Sequence, residues 1–452
     1  MSILKNIIGR NPHEKEFIQS VSEIYNSLTP LFEQDKLYLK YFDILSEPER
    51  IIQFKVIWED DNGNMQINRG YRVQFNSALG PYKGGLRFNK SVNLSIMKFL
   101  GFEQIFKNAL TNLQLGGAKG GSDFNTYGKS DSEIRRFCYS YMKELYKYIG
   151  PDTDIPAGDI GVSMQELGYL YGAYKQNNNS CDGAITGKGV IYGGSVLRPE
   201  ATGYGVVYIL EHMLIDNNDN IKNKKVLVSG AGNVATYTID KLLTKGAIPL
   251  TVSDLSGILY VPTGITRDLY NRIYWLYTKR KLLEELIDEF VNFNAIFIPT
   301  NIKNNESLWN NIDKLDLSEI DIALTCATQN EINEIAATKL ISKNIKYVVE
   351  GSNMGCTNEA IKIFNNNDMV YLSGKLANCG GVCVSQFEMQ QNATKNRWSV
   401  EDVNRKLQHV MINVYDSCKE TADKYNVTIS EGANILSFMK VVEGMREQGY
   451  IW

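Results

Sequence analysis

Two stretches in the first half of the chain set a lysine among glycines: Gly80-Pro-Tyr-Lys83-Gly-Gly-Leu-Arg-Phe88 and Gly116-Gly-Ala-Lys119-Gly-Gly-Ser-Asp123. A third lysine, Lys107, follows Gln104 by three residues, and Pro156-Ala-Gly-Asp159-Ile-Gly161 adds a carboxylate. Taken singly, each reads as a turn with a solvated lysine. Together they have a chemistry. Glycines beside a lysine allow close backbone approach and burial of its stem. Several lysines converging on one site would bind a dicarboxylate. Desolvation and mutual repulsion would lower the proton affinity of one of them, which makes it usable in proton transfer. Gln104 and Lys107, three apart on a helix, can face one ligand.

A second constellation lies in the middle of the chain. The apolar run Val226-Leu227-Val228 leads into Gly230-Ala231-Gly232-Asn233-Val234-Ala235. This is the dinucleotide pattern G-x-G-x-x-A. Its first glycine makes a tight turn, its second admits a pyrophosphate, and its small third residue lets helix and strand pack closely. The helix N-terminus favours the negative charge. A second apolar run, Ile248 to Ser253, ends at Asp254, where the ribose-binding acid belongs. Neither Gly116–Ser122 nor Thr186–Gly189 fits a triphosphate-binding loop.

The elements that must carry these residues are also legible. Residues 12–33 follow a helical stripe. Ile52, Phe54, Val56 and Trp58 alternate, Asn62-Gly63 supplies a hairpin turn, and Tyr71, Val73 and Phe75 alternate again. A helix is expected from about Leu94 to Leu113. Another starts at Ser130 with Glu133 completing a capping box, and runs to Gly150-Pro151. From Lys225 onward strands alternate with helices, with further strands at Asp321–Thr325 and Ile345–Val349, which implies parallel βαβ units. After about Asn378 the pattern is helical. Asparagine-rich segments (177–179, 217–220, 304–305 and 365–367) read as surface loops. The tyrosines and phenylalanines of 137–148 read as helix core. Cys379 and Cys383 read as small buried hydrophobes, with a metal or redox role as the alternative.

Composition bounds the function. In 452 residues, 48 basic and 51 acidic side chains leave a net charge of −3, which removes the electrostatic footprint of a nucleic-acid binder. No apolar run is long enough for a membrane span, and the N-terminus does not read as a secretory signal. Seven scattered cysteines suggest a reducing, cytoplasmic setting. The three histidines, His13, His212 and His409, lie outside every motif, so neither a His-based metal site nor a serine triad is expected.

From residue 12 to the C-terminus the chain resembles the hexameric glutamate dehydrogenases of bacteria, fungi and protists. The resemblance rests on Val73-Gln-Phe-Asn-Ser-Ala-Leu-Gly-Pro-Tyr-Lys-Gly-Gly85, Ser91-Val-Asn-Leu-Ser95, Asp154-Ile-Pro-Ala-Gly-Asp-Ile-Gly161, Arg198-Pro-Glu-Ala-Thr-Gly-Tyr-Gly205, Cys326-Ala-Thr-Gln-Asn-Glu331 and Gly432-Ala-Asn-Ile435. It implies an α/β fold of two lobes with a cleft. Residues 1–199 would form a mixed-sheet substrate and oligomerisation domain, 200–378 a Rossmann-type dinucleotide domain, and 379–452 C-terminal helices returning to the first. It implies that Lys83 and Ser385, with Val382 nearby, bind the substrate's side-chain carboxylate. Gln104 and Lys107 would take the α-carboxylate. Lys119 would be the catalytic lysine and Asp159 the proton-transfer carboxylate. Arg198 and Thr202 fall at the hinge, Arg198 as a substrate-binding residue and Thr202 as a cofactor-binding one approaching the nicotinamide. Gly230, Gly232, Asn233, Val234, Asp254, Ala327, Thr328 and Asn353 would contact the cofactor.

The implied reaction is reversible oxidative deamination of L-glutamate to 2-oxoglutarate and ammonium, in a homohexamer. The alternatives are a dehydrogenase for another amino acid and an impaired paralogue with a binding or regulatory role. NADP is the commonest cofactor of the resembled group, and NAD is the alternative. Leu255 stands where NADP-using relatives have a serine, and Leu276 near a family lysine for the 2′-phosphate. Lys279, Arg280 and Lys281 are close enough in sequence to substitute. Further departures are Gly355 for proline, Leu376 and Cys379 for alanines, Gln386 for glycine beside Ser385, and Ser163-Met164-Gln165.

Overall fold

The structure, a computed structural model, describes residues 3–300, 307–315 and 320–449; the expected loop at 304–305 lies outside them. The chain divides into two compact units. One comprises Met1–Arg198, Val382–Arg405 and Ser417–Trp452; the other comprises Pro199–Gly381 and Lys406–Asp416.

The first unit is built on five strands: β1 (Arg50–Glu59), β2 (Met65–Asn76), β3 (Tyr82–Phe88), β4 (Gly117–Ser122) and β5 (Asp154–Gly158). Their order is β1-β2-β4-β3-β5. The β1–β2 hairpin turns at Asn62-Gly63, with Gly63 at φ +79°. β3 runs parallel to both β4 and β5. Side chains alternate between the faces of a strand, so this register sorts the chemistry. Leu86 and Phe88 face a core with Phe137, Tyr141 and Leu145. Lys83, Gly85 and Arg87 face the other way.

Helix Leu94–Leu110 packs on that second side. A Cβ on Gly117 would lie 2.6 Å from Ile105, and one on Gly101 3.6 Å from the Lys119 Cβ. Close approach of the helix therefore requires glycine at Gly117, while Gly84, Gly120 and Gly121 are required by the backbones of neighbouring strands. Asn93 caps this helix by accepting the Ile96 N–H at 3.0 Å. Helix Asp131–Leu145 begins with the expected Ser130–Glu133 capping box, but it stops at Leu145 and one 3₁₀ turn follows. The helical stripe over 12–33 is two helices, Lys15–Ser27 and Thr29–Gln34, because Pro30 starts a new one.

The second unit holds the parallel sheet. Its strands are β6 (Lys225–Val228), β7 (Ile248–Pro249), β11 (Ile322–Thr325), β12 (Tyr347–Glu350) and β13 (Val370–Leu372), in the order β13-β12-β11-β6-β7. The run expected as one strand from Ile248 to Ser253 is two. Only β7 joins the parallel sheet, while β8 (Thr251–Ser253) turns into an antiparallel sheet with β9 (Gly257–Tyr260) and β10 (Ile296–Pro299). At the break, the Thr251 hydroxyl accepts the Val228 N–H at 2.8 Å and reaches the Val228 carbonyl at 3.0 Å. A side chain thus satisfies backbone groups that a continued strand would have paired.

Candidate active site

The first unit gathers Lys83, Lys119 and Asp159 on one face of the β4-β3-β5 sheet. Lys83 and Lys119 are buried, with 2% and 6% of their surface exposed. The Lys83 ammonium donates to the Ile155 carbonyl at 3.0 Å. Burial, reinforced by Arg198 and Arg72, pushes its proton affinity well below the ordinary lysine range. The Lys119 ammonium lies 3.1 Å from Asp159 Oδ2. Burial lowers its proton affinity too, against the pull of Asp159 and with help from Arg87. Burial alone would raise Asp159; Lys119 and Arg87 outweigh it and hold the carboxyl well below the usual range. Asp159 is presented by a turn in which its carbonyl accepts the Val162 N–H at 2.8 Å and Gly161 takes φ +73°.

Ser385 lies on helix Gly380–Thr394 and accepts from Arg198 Nε at 3.0 Å. Glu388, one turn further, is fully buried. It accepts the Gly187 N–H at 2.9 Å and pairs with the Lys188 ammonium at 2.8 Å. Its charge raises the proton affinity of both Lys83 and Arg198, and Asp154 acts in the same direction on Lys83. On the reverse of the sheet Arg72 and Asp154 form a second buried pair. Arg72 Nε donates to Asp154 at 2.9 Å and Nη1 to the Gly84 carbonyl at 3.1 Å. Sequence reasoning assigned no role to Arg72, Arg87, Lys188 or Glu388. For Arg87 a signal existed, since it is four residues after Lys83 and so on the same strand face. Gln104 and Lys107 sit on Leu94–Leu110 and are partly buried, the Gln104 amide donating to Asn108 at 2.7 Å. Val382 is partly buried, and Gln386 is buried with Oε1 unpartnered among the described residues.

In the second unit a cavity of about 650 Å³ opens at the C-terminal ends of the parallel strands. Gly230, Gly232, Asp254, Ala327 and Thr328 line it. Gly230 has φ +86°, and a Cβ there would lie 2.8 Å from the Cys326 carbonyl. Gly232 differs: a Cβ there would meet no atom within 4 Å. Packing does not demand this glycine, whereas a pyrophosphate over the N-terminus of helix Asn233–Thr244 would. Four other expected cofactor residues are not among those lining the cavity. Asn233 donates to the Tyr277 hydroxyl at 3.1 Å, and Tyr277 does line it. Val234 packs against Gly351 and Gly203. Asn353 accepts from Asn378 at 2.9 Å. Thr202 is partly buried on helix Ala201–Asp216.

Asp254 is occupied by the protein itself. One oxygen accepts the Ser256 N–H and hydroxyl at 2.8 and 2.5 Å, the other the Leu283 N–H at 2.7 Å. The second bond brings the segment after Arg280 and Lys281 to the cavity wall, which both cations line. Leu276, expected near the 2′-phosphate, is instead core. Glu331 is a further residue without an assigned role. Its carboxylate accepts the Ala327 and Thr328 N–H groups at 3.1 and 3.0 Å and the Trp309 indole at 2.8 Å.

The family models for Glutamate/Leucine/Phenylalanine/Valine dehydrogenase and for the Glu/Leu/Phe/Val dehydrogenase dimerisation domain match residues 193–449 and 48–176. The chain belongs to the Glu/Leu/Phe/Val dehydrogenase family. It is 49% identical over 449 residues to the NADP-specific glutamate dehydrogenase of Chlorella sorokiniana, covering 99% of this chain and 84% of that one. It is 46% identical to that of Giardia intestinalis, covering 98% and 97%. The crystal structure of Plasmodium falciparum glutamate dehydrogenase superimposes with a TM-score of 0.94 at 46% identity, over 99% of this chain and 94% of that one.

Some of the departures from the family pattern have a local packing context, and nothing in the structure explains Gln386. The space a Cβ would need at Gly355 is taken by the Thr325 and Ser352 hydroxyls. Leu376 and Cys379 are fully buried, and Cys379 contacts Met411 sulfur at 3.6 Å. Cys383 is buried as well. Ser163 makes a capping box with Glu166 and starts helix Met164–Asn178.

Proposed function

We propose that the chain is an NADP-dependent glutamate dehydrogenase, with the first unit binding the amino acid and the second the dinucleotide. The observation that carries this reading is the buried Lys83 on the same sheet face as the Lys119–Asp159 pair. A buried lysine that, among the described residues, bonds a carbonyl alone favours an anionic substrate group and disfavours a leucine or valine side chain. Arg198 and Ser385 would extend the polar end of the site, and Gln104 and Lys107, on helix Leu94–Leu110, would take the α-carboxylate. In the direction of deamination a dinucleotide bound in the second unit would supply the acceptor for the Cα hydride. Lys119 then assists water addition to the iminium and Asp159 carries protons to and from the nitrogen. Arg280 and Lys281 beside the occupied Asp254 suit a 2′-phosphate, which supports NADP over NAD.

The purified protein should oxidise NADPH in the presence of 2-oxoglutarate and ammonium, read by absorbance of the reduced nicotinamide. Lys119→Ala should lower kcat by about 10²–10⁴-fold. Equal rates for the two proteins would refute the assignment, and so would a preference for norvaline over glutamate.

The reading extends to a cytoplasmic homohexamer. Ile57, Met65 and Ile67 are exposed on the outer β1–β2 hairpin, an apolar edge suited to self-association. Light scattering should give a mass six times that of the 51.1 kDa chain. Among the described residues no helix is long and apolar enough to cross a membrane.

A further inference from the structure

Asp159 does not share its two oxygens evenly. Oδ2 accepts from Arg87 Nε at 2.7 Å and from Lys119 Nζ at 3.1 Å. Oδ1 takes no bond from any described residue. The arrangement is fixed by the sheet. Arg87 is paired with Gly121 on the β4 side, and Leu86 with Gly158 on the β5 side, so Arg87 lies laterally beside the residue that follows β5. Gly85 leaves the room, since a Cβ there would lie 2.9 Å from the Asp159 Cβ. Arg87 has no other ion-pair partner among the described residues and its side chain is only 14% exposed.

From this geometry we infer that Arg87 is a positioning residue for proton transfer: it clamps Oδ2 of Asp159 beside Lys119 and leaves Oδ1 for the reacting nitrogen. The inference rests on the glutamate dehydrogenase reading. Arg87 does a second thing. As a cation beside both groups, it keeps Asp159 ionised and helps lower the proton affinity of Lys119. Among the described residues the charged groups on the pair's side are few. Arg87 and Lys83 come from β3 and Lys119 from β4. Arg72, already paired with Asp154, acts on Lys119 through the sheet, and helix Leu94–Leu110 brings Lys107 to the same side. Removing Arg87 subtracts one cation from this set, so both Asp159 and Lys119 should hold their protons to higher pH.

The test is the pH profile of kcat/KM for glutamate oxidation in the full-length enzyme, for wild type, Arg87→Gln and Arg87→Lys. Arg87→Gln keeps a donor and removes the charge. Its ascending limb should move to higher pH by about one unit, and its plateau kcat should fall about tenfold with a smaller change in the KM for glutamate. Arg87→Lys should return the limb towards its wild-type position. In an Asp159→Asn background Arg87→Gln should cost no further activity, because its effect runs through that carboxylate. A superimposable profile for Arg87→Gln, or full additivity with Asp159→Asn, would overturn the inference. Should Arg87→Gln not fold, the limb of Arg87→Lys and its cycle with Asp159→Asn decide it on the same criteria. A wild-type enzyme without activity on glutamate would refute the underlying assignment instead, so the two failures are distinct.

Discussion

The Asp254 carboxylate accepts the Leu283 backbone N–H at 2.7 Å, 29 residues along the chain. That bond, with those from Ser256, engages both oxygens of Asp254 within the protein, and it brings against the acid the segment after Arg280, which itself lies on the cavity wall. Arg280 is held there by a left-handed backbone at φ +55°, ending helix Arg267–Lys279. A charge-assisted hydrogen bond is worth about 1.5–3 kcal/mol. Arg280→Ala should therefore raise the KM for NADPH about 10–100-fold and leave that for NADH nearly unchanged. Parallel losses for both cofactors in initial-rate assays would contradict a 2′-phosphate contact.

Gly232 separates a ligand's demands from those of the fold. Its backbone, at φ −85°, suits any residue, and a Cβ would enter open space. Gly232→Ala should change unfolding free energy by no more than about 0.5 kcal/mol. NADPH binding, followed by fluorescence titration, should weaken at least tenfold. Gly230→Ala should instead unfold at lower denaturant, because that position combines a positive φ with the Cys326 carbonyl.

Lys83 links the site to the pH dependence of stability. Its proton affinity is lowered in the folded state, so between the folded and the ordinary lysine pKa the unfolded chain binds more protons. Stability contributed by this group therefore rises with pH across that window and is lost below it. Lys83→Met should flatten the rise in urea midpoint measured from neutral pH upward. It should also cost glutamate turnover while gaining activity on norvaline relative to glutamate. An unchanged pH slope would mean that Lys83 is not buried as described.

The Lys188–Glu388 pair should be structural as well as electrostatic. Both side chains are fully buried. Glu388→Ala leaves Lys188 uncompensated and should cost about 3–5 kcal/mol in urea unfolding. Replacing both partners, with Lys188→Met and Glu388→Leu, should recover much of that loss. The double variant should still bind glutamate poorly, because without the Glu388 charge Lys83 gives up its proton more readily and meets the substrate carboxylate uncharged.

Much of this was legible from residue patterns. The hairpin at Asn62-Gly63, the Ser130–Glu133 capping box and the glycine loop at Gly230 each involve neighbours in the chain, where local backbone chemistry decides the outcome. The break at Leu250 was not legible. It turns on one Thr251 hydroxyl replacing ladder bonds of a strand 23 residues away.

What the sequence by itself determined is the set of groups and their local presentation: lysines flanked by glycine, an aspartate before a left-handed turn, a glycine loop between strand and helix. Period-two alternation even assigns Lys83 and Arg87 to one face. Only the tertiary structure decided which charges meet. Arg72 and Asp154 are 82 positions apart, Arg87 and Asp159 72, and Lys188 and Glu388 200. Proton affinity depends on burial and on charges a few ångströms away, and separation along the chain says nothing about either.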